Sequence, residues 1–267
     1  MPLDIHALLE PVIDLAAAAS HRIMAVYATA FSVIKKDDAS PLTAADTASH
    51  DTISRGLRSL TPDIPVLSEE SASVPFGERN GWPRFWLVDP LDGTKEFISR
   101  NGEFTVNIAL IEDGQPILGV VHVPVTGVCY YAARGQGAFR QERGTTGHRM
   151  AVQAVPREGS IRIVGSRSHG GEKVMAFAER LGEHTFVAVG SSLKFCLVAE
   201  GQADVYPRLG PTWEWDTAAA QCIVEEAGGR VVATDGRRLR YNKESLLNPH
   251  FLVFGDASRD WLAYLAS

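Results

Sequence analysis

Five carboxylates in this chain stand where an acid is hard to explain as surface decoration: Asp46, Glu69, Asp89, Asp92 and Asp216. The densest stretch is WLVDPLDGTKEF (86–97), in which Asp89 and Asp92 are three positions apart between an apolar run and a Gly-Thr. Glu69 follows the apolar VLS, Asp46 stands in PLTAAD, and Asp216 opens WDTAAAQ. Acids are almost never fully buried unless they are paired or bind a cation. If the ends of these segments converge, several carboxylates surround one point, and only a hard cation makes that tolerable. Mg²⁺ is the natural choice, because it prefers oxygen ligands and keeps part of its shell for water and substrate phosphate. Gly93 lets the backbone approach a ligand closely, and a helix starting after it would point the amides of Gly93 and Thr94 at an anion.

The elements that must position these residues are legible from periodicity. Apolar positions at helical spacing (Ile5, Leu8, Leu9, Val12, Ile13, Ala16) predict a helix from residue 4 to about 35. A second helix is expected over 44–60, with Thr43 as its cap and Asp46 at the third helical position. Strands are expected at VLS (66–68), FWLVD (85–89), FTVNIALIE (104–112), ILGVVHVP (117–124) and VCYYAA (128–133); EDGQP and PVTG separate the last three as an antiparallel meander. The polar RQERGTTGHR (140–149) suggests a lobe boundary, dividing the chain at 1–145 and 146–267. Beyond it strands and helices alternate, as in an α/β layer. The fold expected is a layered α-β-α-β-α sandwich of mixed α/β class, with strand ends carrying the ligands.

Composition narrows the partners. Of 267 residues, 45% are hydrophobic and 22% charged, which is ordinary globular usage, and folding should bury roughly three quarters of the extended surface. The net charge of −6 argues against a nucleic-acid polymer, so an anionic ligand must be met by a metal or by a few local cations. Cys129, Cys196 and Cys222 are odd in number and widely spaced, which reads as small buried hydrophobes in a reducing compartment. No apolar run reaches transmembrane length, and the acidic N-terminal stretch is unlike a secretory signal, so a cytoplasmic location without an obligatory membrane is expected.

Each acid also has a plainer use. Asp46 could simply complete the Thr43 capping box, Asp216 could cap the helix that follows, Glu69 and Glu70 could be solvated loop acids, and DPLDG could be a turn. An aspartyl-phosphate phosphotransferase would use D-x-D-G-T, and the extra residue in D-P-L-D-G-T would misplace its second acid. It is the joint pattern that points to metal-assisted chemistry.

These motifs, with SPLTAAD, LTPDIPVLSEE, DPLDGTKEFISRNGEFTVNIALI, SRSH, GSSLKFCLVAEGQADVYPRLGPT and WDTAAAQCIVEEAGG, resemble the inositol monophosphatase superfamily of lithium-sensitive, magnesium-dependent phosphomonoesterases. Within it the sequence is most similar to 3′(2′),5′-bisphosphate nucleotidases, and the likeness covers nearly the whole chain. The resemblance implies two to three Mg²⁺ ions: one on Glu69, Asp89 and the Leu91 carbonyl, a second on Asp89, Asp92 and Asp216, and a third held loosely. It implies that Thr94, oriented by Asp46, activates the attacking water, with Glu69 also counted in the catalytic set. It places Gly93, Thr94, His169, Gly190, Ser191, Lys194, Arg208 and Asp216 around the substrate. A lone Lys in a helix is usually just a solvated charge, and His169 could be a surface turn residue. The implied substrate is adenosine 3′,5′-bisphosphate, with 3′-phosphoadenylyl sulfate as a second one. An inositol monophosphatase would share the metal site, but KEF after DGT and SSLKF favour the nucleotidase. A non-catalytic metal or nucleotide sensor would be expected to have lost an acid, and none is missing. Relatives also suggest the cytoplasmic face of the inner membrane, which no basic amphipathic helix here demands.

Overall fold

The computed structural model describes residues 3–30, 32–35, 41–71, 74–155, 159–166 and 171–265. α1 (Leu9–Tyr27) buries Val12, Ile13, Ala16, Ala19 and Ile23, the stripe of an amphipathic helix. It is shorter than its apolar spacing predicts. The Thr29 hydroxyl turns back to donate to the Val26 carbonyl at 2.8 Å, and the β-branched Val33 and Ile34 enter a strand. That strand, β1 (Val33–Lys35), pairs antiparallel with β2 (Pro41–Thr43). α2 (Ala44–Leu60) occupies the expected range, and its capping box is formed: the Ala45 amide donates to Thr43 Oγ1 at 3.1 Å and the Thr43 amide to Asp46 Oδ2 at 2.8 Å.

A seven-stranded sheet then forms in chain order. β3 (Val66–Ser68) is followed by the short α3 (Phe76–Arg79), β4 (Arg84–Asp92) and the short α4 (Thr94–Ile98). β5 (Thr105–Glu112), β6 (Gln115–His122), β7 (Cys129–Ala133), β8 (Gly137–Gln141) and β9 (His148–Met150) complete it. Only β3 and β4 pair in parallel, so the expected meander is the centre of this sheet. The polar stretch 140–149 supplies part of β8 and most of β9, and the first sheet therefore runs past position 145 to Met150.

The remaining elements are β10 (Ile161–Gly165), α5 (Glu172–Leu181), β11 (His184–Ala188), α6 (Leu193–Ala199), β12 (Val205–Arg208), α7 (Glu214–Glu226), β13 (Arg230–Ala233) and β14 (Phe251–Phe254). They build a five-stranded sheet in the order β11-β10-β12-β14-β13. β14, absent from the sequence expectation, is an internal strand antiparallel to both of its neighbours.

Alternation along the strands sets the layers. On β4, Trp86 and Val88 face α1 and α2, whereas Phe85 and Leu87 face α6 and α7. α6 and α7 lie between the sheets, sharing one core with Tyr206, Val231, Phe251 and Val253 of the second sheet. That sheet's other face packs Ile161, Ile163, Val205 and Leu252 against Phe177, Ala178 and Leu181 of α5. The result is the α-β-α-β-α sandwich. Small residues let its central helix seat closely: Ala218, Ala219 and Ala220 are buried on α7, and a Cβ at Gly119 of β6 would lie 2.2 Å from the Ala219 carbonyl oxygen. Among the described residues no helix is long and apolar enough to cross a membrane.

Candidate active site

The ends of β3 and β4 meet the first turns of α4, α6 and α7 at one cavity of about 270 Å³, lined among others by Glu69, Asp89, Leu91, Asp92, Thr94 and Asp216. The placement of the aspartate pair rests on an irregularity in β4. Asp89 pairs with Asn107 but Asp92 pairs with Thr105, so β4 holds one residue more than β5 over this stretch. In a regular strand, positions three apart face opposite sides; the inserted residue brings both acids to the side shared by Asn107 and Thr105. Gly93 follows with φ 94°, a left-handed turn that a side chain would strain, and α4 begins at Thr94.

The electrostatics are those of a cation site. Asp89 is only 1% exposed; burial, reinforced by the charges of Glu69, Asp92 and Asp216, pushes its carboxyl well above the usual range, against one bond from the Leu91 amide at 3.0 Å. Burial and then Asp92 raise Asp216 in the same way, opposed by the Trp213 amide, which donates to its Oδ2 at 2.9 Å. Asp216 thus also closes the first turn of α7, so its plainer use is real and takes one oxygen only. Among the described residues no three acidic, imidazole or thiol side chains are already drawn to ligating distance of one point, and like charge opposes any closer approach. The donor set is nonetheless all oxygen, anionic and concentrated on one wall, which fits a hard divalent ion and disfavours a soft one.

Asp46 serves two partners at once. Its Oδ2 accepts from the Thr43 amide at 2.8 Å and the Thr43 hydroxyl at 2.6 Å, while its Oδ1 accepts from the Thr94 hydroxyl at 3.3 Å. The capping role and the site role therefore coexist on opposite oxygens of one buried carboxylate.

The facing wall carries the cations. Lys194 is not the solvated helix charge its type suggests: it is 5% exposed, its Nζ donates to the carbonyls of Ser191 at 2.6 Å and Val189 at 3.2 Å, and it lies 5.5 Å from the Tyr206 ring centroid. Burial lowers its pKa to about 8, with Asp92 opposing that shift and Arg208 adding to it. Arg208 is buried too, with one guanidinium nitrogen donating to the Pro211 carbonyl and its Nε without a partner among the described residues. Ser191 lines the cavity with φ 48°. Gly190 is not among the lining residues: its amide donates to Glu103 Oε2 at 2.8 Å, and a Cβ there would meet Glu96 Cγ at 2.5 Å. His169 lies outside the described residues.

Four further residues escape sequence reasoning. The Ser192 hydroxyl lies 2.8 Å from Asp92 Oδ2 and 2.7 Å from the Asp216 carbonyl oxygen, and it accepts from Asn107 Nδ2 at 2.9 Å. Asn107 Nδ2 and the Thr105 hydroxyl also lie 3.3 and 3.5 Å from Asp92 Oδ2. The available signal was the lone Asn in the apolar FTVNIALI, a polar residue that a buried strand must satisfy. Glu214, fully buried, accepts from the amides of Asn242 and Lys243 at 2.7 and 3.0 Å and pairs with the Lys243 ammonium, so it ties the 242–243 loop to the start of α7.

Comparison with known proteins gives the family. The model of the inositol monophosphatase family matches residues 4–264. The chain belongs to the inositol monophosphatase family. Within the family it is similar to a Salmonella typhimurium protein named 3′(2′),5′-bisphosphate nucleotidase CysQ, at 53% identity over 249 residues covering 92% of this chain and 99% of that one. A Haemophilus influenzae protein of the same name is 38% identical, with 95% of each chain covered. The crystal structure of CysQ from Bacteroides thetaiotaomicron superposes with a TM-score of 0.82 at 42% identity, covering 94% of this chain and 97% of that one. The extragenic suppressor protein suhB from Bartonella henselae gives 0.81 at 26% identity, covering 98% and 99%.

Proposed function

We propose that this family member is a magnesium-dependent 3′(2′),5′-bisphosphate nucleotidase that hydrolyses adenosine 3′,5′-bisphosphate to AMP and phosphate. The observation that carries the reading is the cavity itself: an all-oxygen acidic wall faces two buried cations, Lys194 and Arg208, in a chain whose similar relatives bear that name. Glu69, Asp89 and the Leu91 carbonyl would hold one ion, and Asp89, Asp92 and Asp216 a second. Bound magnesium would supply charge neutralisation for the phosphate and Lewis-acid assistance to its displacement.

The chain's own groups account for the rest. The Thr94 hydroxyl has two acceptors, Asp46 Oδ1 at 3.3 Å and the Leu91 carbonyl at 3.5 Å, and donation to the nearer, charged one would leave the Thr94 oxygen free to accept from a water and aim it at phosphorus. Asp46, fixed by its two bonds from Thr43, holds that hydroxyl in one orientation and can take its proton as the water's proton moves onto Thr94. Because water itself attacks in line, no side chain needs to become phosphorylated. Lys194 and the guanidinium of Arg208, both lining the cavity, would meet the second phosphate, which a monophosphate lacks. The three cysteines are buried and unpaired, which agrees with a reducing, cytoplasmic compartment.

The test is phosphate release with Mg²⁺ from adenosine 3′,5′-bisphosphate, an inositol monophosphate and fructose 1,6-bisphosphate. The highest kcat/KM is expected for the nucleotide. A preference for the inositol phosphate would replace this reading with a polyol phosphatase, and no release from any of the three would replace it with a binding role.

A further inference from the structure

We infer that Ser192 is a positioning residue whose hydroxyl sets the spacing of Asp92 and Asp216 and thereby the affinity of the site for its divalent cation. The inference rests on the reading that these two acids share an ion. Ser192 is 2% exposed and stands at the entry to α6, beside Asp92 at the end of β4. Its Oγ is the point where three elements converge. Asn107 of β5 donates to it at 2.9 Å, Asp92 Oδ2 at the end of β4 lies at 2.8 Å, and the main-chain carbonyl of Asp216 in the first turn of α7 lies at 2.7 Å.

A hydroxyl has one proton to give, so Ser192 can donate to only one of these two oxygens at a time. It nevertheless bridges the sheet that carries Asp92 and the helix that carries Asp216 through one side-chain atom. The bridge also decides which oxygens remain for an ion. Asp92 Oδ2 lies within reach of the Ser192 hydroxyl and the Asn107 amide, while the Thr105 hydroxyl has a nearer acceptor in Asn107 Oδ1 at 3.0 Å, and Asp216 Oδ2 accepts from the Trp213 amide. One oxygen of each of these two cavity-lining acids is thus held by the protein, and the other would serve the ion. Losing the Ser192 hydroxyl would free Asp92 to rotate, and would leave the buried Asp216 carbonyl and Asn107 amide each one partner short. Partners that orient metal ligands in this way typically change metal affinity by about 10- to 100-fold when removed.

The experiment measures Mg²⁺ binding directly, by calorimetry on the full chain without substrate, with Mn²⁺ binding by electron paramagnetic resonance as a second readout. Ser192→Ala is expected to raise the Mg²⁺ Kd by about 10- to 100-fold. The Mg²⁺ concentration for half-maximal activity should rise with it, by more than KM for the nucleotide. Ser192→Thr, which keeps the hydroxyl, should recover most of the affinity. Asn107→Ala should weaken Mg²⁺ binding in the same direction, and the double variant should bind scarcely more weakly than the worse single, since both act on Asp92 through one linkage. If Ser192→Ala does not fold, Asn107→Ala carries the test alone. Folded variants that bind Mg²⁺ within twofold of the wild type would overturn the inference, as would a loss confined to nucleotide KM. Asp92→Asn separates the two levels of the argument. Lost Mg²⁺ binding in that variant beside unchanged binding in Ser192→Ala refutes only the positioning role. Unchanged binding in both refutes the cation assignment beneath it.

Discussion

Replacing Lys194 by Met separates what this cation does for the substrate from what it costs the fold. Burial takes its pKa from an ordinary 10.5 to about 8, a shift worth about 3 kcal/mol against the charged form. The penalty is fully present below pH 8. Between pH 8 and 10.5 the unfolded chain holds the proton more tightly than the folded one, so wild-type stability gains from this group as pH rises through that window. Met keeps the length and removes the charge, but it leaves the Ser191 and Val189 carbonyls without their donor, at about 1 kcal/mol each. The net expectation at pH 7 is a gain of about 1 kcal/mol, or about 2–4 °C in Tm, shrinking toward pH 9.5. Recognition should move the other way. A charge-assisted bond to phosphate is worth about 1.5–3 kcal/mol, so the ratio of kcat/KM for adenosine 3′,5′-bisphosphate to that for 3′-AMP should fall about ten- to a hundredfold. In the wild type that ratio should itself decline as pH passes about 8, and Lys194→Arg should abolish the decline. A Lys194→Met protein that is less stable at pH 7 and keeps its substrate ratio would refute both halves of the reasoning.

Other perturbations test the remaining parts of the site. Asp89→Asn should lower kcat by about 10²-fold or more at saturating Mg²⁺, yet raise Tm in chelator, because its buried carboxyl is crowded by three other acids; near wild-type turnover would remove it from the ligand set. Thr94→Ala and Asp46→Ala should each slow turnover by roughly 10²- to 10⁴-fold, and the double variant should be scarcely slower than the worse single. Clean multiplication would dissolve the pair. Only Asp46→Ala should also cost about 1 kcal/mol in denaturant unfolding, through the lost cap. Glu214→Ala, which strips the acceptor from two amides and the Lys243 ammonium, should cost about 3 kcal/mol or more, whereas breaking the solvent-screened Arg237–Asp235 pair should leave the unfolding midpoint where it is. Similar losses from both would show that burial does not govern these pairs.

Much of this was written locally. The Thr43 cap and the range 44–60 of α2, the apolar strand at FWLVD, the turn chemistry of the meander and the acids at strand ends all follow from properties of a few adjacent residues, and together they point to the layered fold and the composition of the site. What local sequence could not decide is register and depth. Asp89 and Asp92 share a face only because pairing with β5 admits one extra residue between them. β14 is a four-residue apolar run that becomes an internal strand only when β12 and β13 flank it. α1 stops at Tyr27 because the chain beyond it finds a strand partner in β2. Lys194 reads as a surface charge until Tyr206 and the Ser191 carbonyl enclose it, and Ser192 reads as an ordinary serine until residues 85 positions before it and 24 after it converge on its hydroxyl. Helix caps and strand periods are set by neighbours within one or two turns. The burial of a charge, and the partner that orients it, are set by segments brought together only when the sheets and the central helices pack, so they belong to the tertiary structure alone.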